Sequence, residues 1–320
     1  DDGSTCGEHG HVRYLVTGGA GFIGSHLAER LLKDGHQVRI IDDLSSGKSD
    51  NLAYLSALNG DLHITRATIA EYDAICPVFA HADYVLHHAA VISVPYSVDH
   101  PQETHAVNVT GMLNILMASR EAGIKRVILA SSSAVYGDND RPIQTEHDPL
   151  APISPYGVTK MMGEQYMQMF YRLYGLETVC FRYFNAFGAR QDPSSAYAAV
   201  IPKFIAKMKQ GEAPTIFGTG EATRDFTHVD NIVHANILAT TAPDVAGGIF
   251  NIATGMRISV NDLVHTLNHI LGTSIQPIYA PPRAGDILHS CADVRLATEK
   301  LNFTPIIDFE TGLRQTVAHF

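Results

Sequence analysis

Tyr156 and Lys160 stand four residues apart at the start of a helical stretch, so a phenol and an ammonium share one helix face. A phenol titrates near ~10 in water, and a neighbouring cation favours its phenolate and lowers that value. The pair can therefore serve as a general base near neutral pH. Alone, a Tyr-x-x-x-Lys spacing is common. Here it follows Ser131-Ser132-Ser133 at the end of a β-rich run, with Ser132 placed 24 residues before Tyr156. Hydroxyls at the carboxyl end of a parallel strand face the ligand crevice, although serines at such a place also cap turns.

A second constellation lies near the N-terminus. Thr17-Gly18-Gly19-Ala20-Gly21-Phe22-Ile23-Gly24 follows one β-rich run and opens a helix, with glycines at 18, 21 and 24. Glycine suits a tight turn that must let backbone approach a pyrophosphate, and the helix N-terminus at Phe22-Ile23 supplies N–H donors and a positive dipole end. A glycine-rich turn without a ligand is the plain alternative, and the strand–loop–helix context argues against it. Asp42 ends the next strand, 18 residues beyond Gly24. A carboxylate there accepts from the adenosine ribose and repels a 2′-phosphate, which favours NAD over NADP. Asp43, Leu44, Ser45, Ser46 and Gly47 are assigned to the same cofactor edge, although Asp43 by itself reads as a solvated loop acid. Asp61-Leu62, after the following loop, is placed beside the adenine.

The elements that position these groups follow from the hydrophobic pattern. Strand-like runs are predicted at Val12–Thr17, Gln37–Ile41, Tyr84–His88, Arg126–Ala130 and Thr178–Arg182, with helices at Gly21–Lys33, near 100–122 and over 157–174. Strands alternating with helices imply a doubly wound α/β fold on a parallel sheet. After residue 185 Pro and Gly become denser, except that 228–253 reads as one more helix and a strand at Gly248–Ile252. The cofactor unit is thus expected over 11–184 and 228–253, and a smaller α/β substrate unit over 185–227 and 254–320. Residues 1–10 read as a disordered leader.

Bulk properties narrow the classes. The 320 residues are 45% apolar and 18% charged, with a net charge of −10, so a cationic footprint for nucleic acid is absent. No apolar run approaches the ~18 residues of a membrane span. Cys6, Cys76, Cys180 and Cys291 show neither disulfide-pair nor zinc spacing, which implies reduced thiols, a cytoplasmic setting and no metal.

These motifs, taken together in one order, resemble the extended short-chain dehydrogenase/reductase family, and within it the UDP-sugar 4-epimerases. The resemblance runs from about 12 to 320. It includes His88-Ala89-Ala90, Asn108-Val109-Thr110-Gly111, Arg182-Tyr183-Phe184-Asn185, Thr223-Arg224-Asp225-Phe226 and Arg283-Ala284-Gly285-Asp286. It implies a Rossmann-type sheet and tightly held NAD. In the implied reaction Tyr156 takes the proton of the sugar 4-OH, Ser132 bonds that oxygen, and Lys160 also contacts the cofactor ribose. Ala89, Ala90, Asn108 and Tyr183 are implied at the cofactor.

On the substrate side the resemblance assigns Arg224 and Arg283 to the diphosphate, where a planar fork of donors suits phosphate, the plain alternative being ion pairs with Asp225 and Asp286. Asp286 is implied at the uridine ribose, Thr215-Ile216-Phe217 at the uracil, and Asn185 at the diphosphate or sugar. Ser93, Ser133, Ala199, Val200 and Phe204 complete the implied wall. Ser290 stands where relatives restricted to plain hexoses have Tyr. Its small size, with Ser93-Val94-Pro95 and Ala198 to Pro202, resembles the subgroup that accepts UDP-N-acetylglucosamine. Related dehydratases carry an Asp-Glu pair before Val-Tyr-Gly, and related decarboxylases a Glu. Here Ser133-Ala134 stands before Val135, which favours epimerisation. A UDP-uronic acid 4-epimerase stays open. So does a non-catalytic NAD-binding regulator, which need not keep Ser132, Tyr156 and Lys160 together. The helices near 100–122 and over 157–174 are apolar on more than one face, from which a homodimer is expected.

Overall fold

Short runs rich in Val, Ile and Leu pair in parallel in the structure, a computed structural model that describes residues 11–196, 199–284 and 286–320. The leader expected at 1–10 lies outside the described residues, as do Ala198 and Gly285 of the motifs above. The strands are β1 (Arg13–Thr17), β2 (Gln37–Asp42), β3 (Leu62–Arg66), β4 (Tyr84–His87), β5 (Arg126–Ser132), β6 (Glu177–Tyr183) and β7 (Gly248–Ile252). They form one sheet in the order β7-β6-β5-β4-β1-β2-β3. The chain reverses its direction of winding between β1 and β4, and their carboxyl ends therefore flank a crevice.

Helices cover both faces, as a parallel sheet requires. On one side α1 (Phe22–Lys33) and a later helix, α4 (Val229–Thr241), bury Leu27, Leu31, Ile232 and Ala235 against Val16, Ile40, Ile128 and Phe181. On the other, α2 (Gly111–Ala122) and α3 (Pro155–Tyr174) bury Met112, Ile115, Met167 and Phe170 against Leu15, Val85, Val127 and Leu129. Each such side chain contributes roughly 1.5–3 kcal/mol on leaving water. A third apolar cluster lies apart from the sheet. It joins Phe187, Ile205, Ile216, Phe226, Leu263 and Leu313.

The start of α3 is fixed by its own sequence. Ser154 caps it by accepting from the Gly157 N–H, Pro155 occupies the first turn, and Gly175 closes the other end at φ +71°. Tyr156 and Lys160 are thereby held in the first two turns.

The helix expected near 100–122 is present as one helical run over 101–122, with a wider turn at Ala106–Thr110 that leads into α2. β3, an edge strand of five residues in which apolar and polar side chains alternate, was not expected. After residue 185, where Pro and Gly are denser, the α/β unit holds helices at Val200–Lys209, Val260–Leu271, Arg295–Leu301 and Phe309–His319.

Candidate active site

The loop from β1 to α1 is shaped by close approach. Gly18 has φ +73°, and a Cβ there would lie 2.7 Å from the Ala89 nitrogen. A Cβ on Gly24 would lie 2.0 Å from the Gly18 carbonyl oxygen. No side chain caps α1 at Gly21, and Phe22 and Ile23 form its first turn. The orphan N–H groups of that turn are available to an anion. Thr17 pins this loop to the end of β4. Its hydroxyl oxygen accepts from the His88 and Ala89 N–H groups at 3.0 and 3.1 Å and is hydrogen-bonded to His87 Nδ1 at 2.6 Å. Ala89 and Ala90 thus adjoin the phosphate loop.

Asp42 lies at the carboxyl end of β2, where its two oxygens accept from the Ala20 and Leu44 N–H groups at 2.9 and 2.8 Å. The carboxylate is buried at the loop rather than solvated, and burial pushes its carboxyl above the usual range against those two bonds. Asp43 accepts from both the N–H and hydroxyl of Ser45, Leu44 has φ +60°, Ser46 is exposed, and a Cβ on Gly47 would meet Ala20 at 2.7 Å. The placement of Asp61-Leu62 beside the adenine is corrected. Leu62 pairs with Val38 at the amino end of β3, and Asp61 is bonded to Gln37, while Arg66 pairs with Asp42. Four strand residues, about 13 Å, separate Leu62 from the cofactor edge. The segment that does follow β3 there is Ala67-Thr68-Ile69. The Ala67 N–H donates to the Asp42 carbonyl, and Ile69 packs under Gly111. No glycine or acid in that segment signals its position.

Ser132, Tyr156 and Lys160 come together at the ends of β5 and α3. Ser132 accepts from the Ala134 N–H at 3.1 Å. The Lys160 ammonium donates to the Ala130 carbonyl at 2.8 Å and lies 5.7 Å from the centre of the Tyr156 ring. Burial pushes the Tyr156 phenol up, and the nearby Ser132 hydroxyl opposes it. Burial also pulls the Lys160 ammonium down to about 8, against Glu164. The expected lowering of the phenol is therefore not present in the protein alone, and needs a further positive charge in the crevice. His87 and His88 are pushed down by burial, and both also feel Lys160, so they are neutral at physiological pH.

Asn108 is committed to the scaffold. Its amide accepts from the Val91 N–H at 2.8 Å and donates to the Val91 carbonyl and to Thr159 on α3. Tyr183 bonds His88 Nε2 and accepts from Asn236, each at 2.8 Å. Beneath the site, Glu164 is wholly buried, accepting from Ser131 at 2.6 Å and from both forks of Arg182 at 2.9 and 2.7 Å. Thr17, His88, Glu164 and Asn236 have no distinctive spacing, and only the assembled sheet shows their role as supports.

The substrate-side residues form a looser group. Ser93 caps the helix Val94–Asp99, and Ser97 from it accepts from the Tyr156 N–H at 3.0 Å. Asn185 has φ +39°, and its carbonyl accepts from Thr227. Ala199 begins the helix that carries Val200 and Phe204, of which Phe204 is buried in the third apolar cluster with Ile216. Thr215–Phe217 pairs with Ile278–Ala280, and the Arg283 guanidinium lies 3.6 Å above the Phe217 ring. Arg224 donates to the Thr223 carbonyl at 2.8 Å, and burial pulls its guanidinium down against the pull of Asp286. It does not pair with Asp225, whose oxygens are taken by Thr254, Gly255 and Ala292. The Ser290 N–H donates to the Thr223 carbonyl, which brings Ser290 beside Arg224. Ser133 begins the turn after β5, and Asp286 is exposed.

The strand order and the loop after β1 place the chain among the Rossmann-like short-chain dehydrogenase/reductases. Within that class, residues 14–253 match the NAD dependent epimerase/dehydratase family, and the chain belongs to it. Its cofactor is NAD, and the glycine cradle with the uncapped α1 fits the pyrophosphate of that group. A solved UDP-N-acetylglucosamine 4-epimerase from Methanobrevibacter ruminantium, in complex with UDP-N-acetylmuramic acid, is 42% identical with a TM-score of 0.92 over 97% of this chain and 98% of that one. The UDP-glucose 4-epimerase of Mycolicibacterium smegmatis is 38% identical over 97% of this chain and 98% of its own length. A UDP-N-acetyl-alpha-D-glucosaminuronate decarboxylase of Bacillus cytotoxicus is 35% identical over 96% and 97%.

The buried ammonium gives a test of this electrostatic picture. With a folded value near 8 against 10.5 in the unfolded chain, Lys160 opposes folding fully below pH 8, and that opposition fades as pH rises to 10.5. Cofactor-free Lys160→Met, which keeps length and loses charge, is expected to melt roughly 2–4 °C higher at neutral pH, a gain of about 1 kcal/mol after loss of the Ala130 bond. The gain should vanish toward pH 10.5. Calorimetry that shows no gain at neutral pH, or one independent of pH, would contradict the buried cation.

Proposed function

We propose that this chain is an NAD-dependent UDP-hexose 4-epimerase acting on UDP-GlcNAc/UDP-GalNAc and UDP-Glc/UDP-Gal. The observation that carries the reading is the joining of Ser132, Tyr156 and Lys160 beside the phosphate loop, in a turn whose next residues are Ser133 and Ala134. Bound NAD supplies a hydride acceptor for C4 of the sugar and a positive charge beside the phenol. Tyr156 removes the 4-OH proton and returns it after the sugar has presented its other face, with Ser132 bonding the same oxygen. Lys160 holds a positive charge near the phenol and favours its ionised form. Arg224 and Arg283 hold the diphosphate. Dehydration or decarboxylation would call for an acid where Ser133-Ala134 stand, and the three assembled groups make a purely regulatory NAD-binding role unnecessary. In this reading the cofactor unit spans 11–184 and 228–253 and the substrate unit 185–227 and 254–320; the separate apolar cluster around Phe226 and Leu263 supports the division, whereas Ala297, Leu301 and Phe303 pack into the core of the cofactor unit. The free thiols of Cys76, Cys180 and Cys291 agree with a cytoplasmic setting.

The acetamido preference rests on Ser290. Ser290→Tyr adds a ring to the proposed wall at C2, a repulsive element that should fall on the N-acetyl substrate alone. A partly relieved clash of about 1–3 kcal/mol corresponds to a roughly 5- to 150-fold loss in kcat/KM for UDP-GlcNAc. UDP-Glc should hold or improve. NMR of products from UDP-Glc, UDP-GlcNAc and UDP-GlcA, offered separately to both proteins, decides it. Turnover of UDP-GlcA alone would replace the reading by a uronic-acid epimerase, and equal losses on both hexoses would remove Ser290 from C2.

A homodimer is part of the same proposal. Val158, Met162, Tyr166, Met169 and Leu173 follow one helical stripe on α3, and Leu173 is 65% exposed, with Met117 of α2 40% exposed. Such a stripe on two adjacent helices suits pairing with its own copy across a two-fold axis. Light scattering should give twice the 34.8 kDa chain mass at micromolar concentration, and a monomer alone would rule the dimer out.

A further inference from the structure

Asp225 is wholly buried, yet its carboxylate is not paired with the arginine that precedes it. One oxygen accepts from the Thr254 N–H at 3.0 Å and the Thr254 hydroxyl at 2.7 Å. The other accepts from the Gly255 N–H at 2.9 Å and the Ala292 N–H at 3.2 Å, with the Cys291 thiol at 3.9 Å. Burial pushes this carboxyl up, and the Thr254, Ala292 and Gly255 donors oppose it.

These donors come from two separate segments. Thr254-Gly255 follows β7, the edge strand of the sheet, and Cys291-Ala292 follows Ser290. Asp225 itself sits between Arg224 and Phe226, and Phe226 is anchored in the third apolar cluster. Ser290 is joined to this segment a second time through its N–H and the Thr223 carbonyl, and His289 Nδ1 bonds the Thr223 hydroxyl at 2.7 Å. A single buried carboxylate thus gathers the end of the sheet, the arginine segment and the Ser290 segment. A buried acceptor with four good donors is costly to lose, because each orphaned N–H then lacks a partner away from water.

We propose that Asp225 is the positioning residue of the substrate side, and that it sets the spacing between Arg224 and Ser290 in which the nucleotide-sugar is held. This rests on the UDP-sugar reading above. Asp225 touches neither the reacting atoms nor the loop after β1, so its loss should act on substrate affinity and leave cofactor retention and the catalytic step in place. Asp225→Asn keeps the volume but turns an amide N–H₂ toward either the Thr254 donors or the Gly255 and Ala292 N–H groups, which pushes those donors away.

The test uses the NAD-loaded protein and UDP as the probe. Calorimetric titration with UDP should show affinity about 10- to 100-fold weaker for Asp225→Asn, the range seen when partners that orient a ligand-holding group are removed. KM for the UDP-sugar should rise in parallel, with kcat and the NAD content of the purified protein close to the parent's. Thr254→Val removes one donor and keeps the carboxylate, so it should shift UDP affinity and KM in the same direction by less, which supports the assignment even where Asp225→Asn fails to fold. Parent-like UDP affinity in both variants would overturn the positioning role, as would a fall in kcat and NAD content with UDP affinity unchanged. A parent protein that retains NAD but does not bind UDP would instead overturn the reading of the site.

Discussion

A lysine ammonium held out of water beside a buried phenol is the arrangement on which the rest of the structure depends. Water no longer stabilises Lys160, and its ammonium keeps one strong partner, the Ala130 carbonyl at the end of β5. Burial also raises Tyr156, so in the protein alone each group resists the ionisation that catalysis needs. A nicotinamide cation held in the same crevice would favour the phenolate and so oppose the effect of burial. The site is built to be incomplete without its cofactor, which is consistent with a reaction that regenerates that cofactor on each cycle.

Holding such a pair requires a stiff frame, and the frame is assembled from both layers of the fold. Ser154 and Pro155 fix where α3 begins, Ser97 receives the Tyr156 N–H, and Asn108 ties α3 to the segment after β4. The Arg182–Glu164 pair beneath is fully buried and closed by Ser131, so the ends of β5 and β6 and the third turn of α3 move as one. Removing one partner from a pair of this kind leaves a bare buried charge, typically a loss of about 3–5 kcal/mol. On the other side Thr17 couples the phosphate loop to β4. Cofactor loop, base and supporting charge therefore share one end of one sheet.

Much of this was legible in the sequence, and the boundary has physical causes. The glycine loop, Asp42, Ser132, Tyr156 and Lys160 carry spacing rules, because a turn, a strand end and a helix face each force residues into fixed intervals. The central strands were visible because burial on both faces leaves continuous apolar runs. β3 was not, since a short edge strand that mixes polar and apolar side chains lacks a continuous apolar run, and that omission moved the adenine contact to Asp61-Leu62 at the wrong end of the strand. His88 and Tyr183 lie in motifs, but the bonds that join them to each other and to Asn236 have no local signature. Asp225 was read as a neighbour for Arg224, and only the fold shows that its partners lie some 30 and 67 residues away.

The central proposal is a transient oxidation of the sugar at C4 with Tyr156 as the base. It is tested most directly with a UDP-hexose carrying deuterium at C4, incubated in ordinary water and examined by NMR. The account requires that the C4 epimer form with its deuterium still at C4, because the abstracted hydride is returned to the same carbon from the opposite side. An epimer that has exchanged its C4 label for solvent hydrogen, or a labelled substrate recovered without inversion, would contradict it.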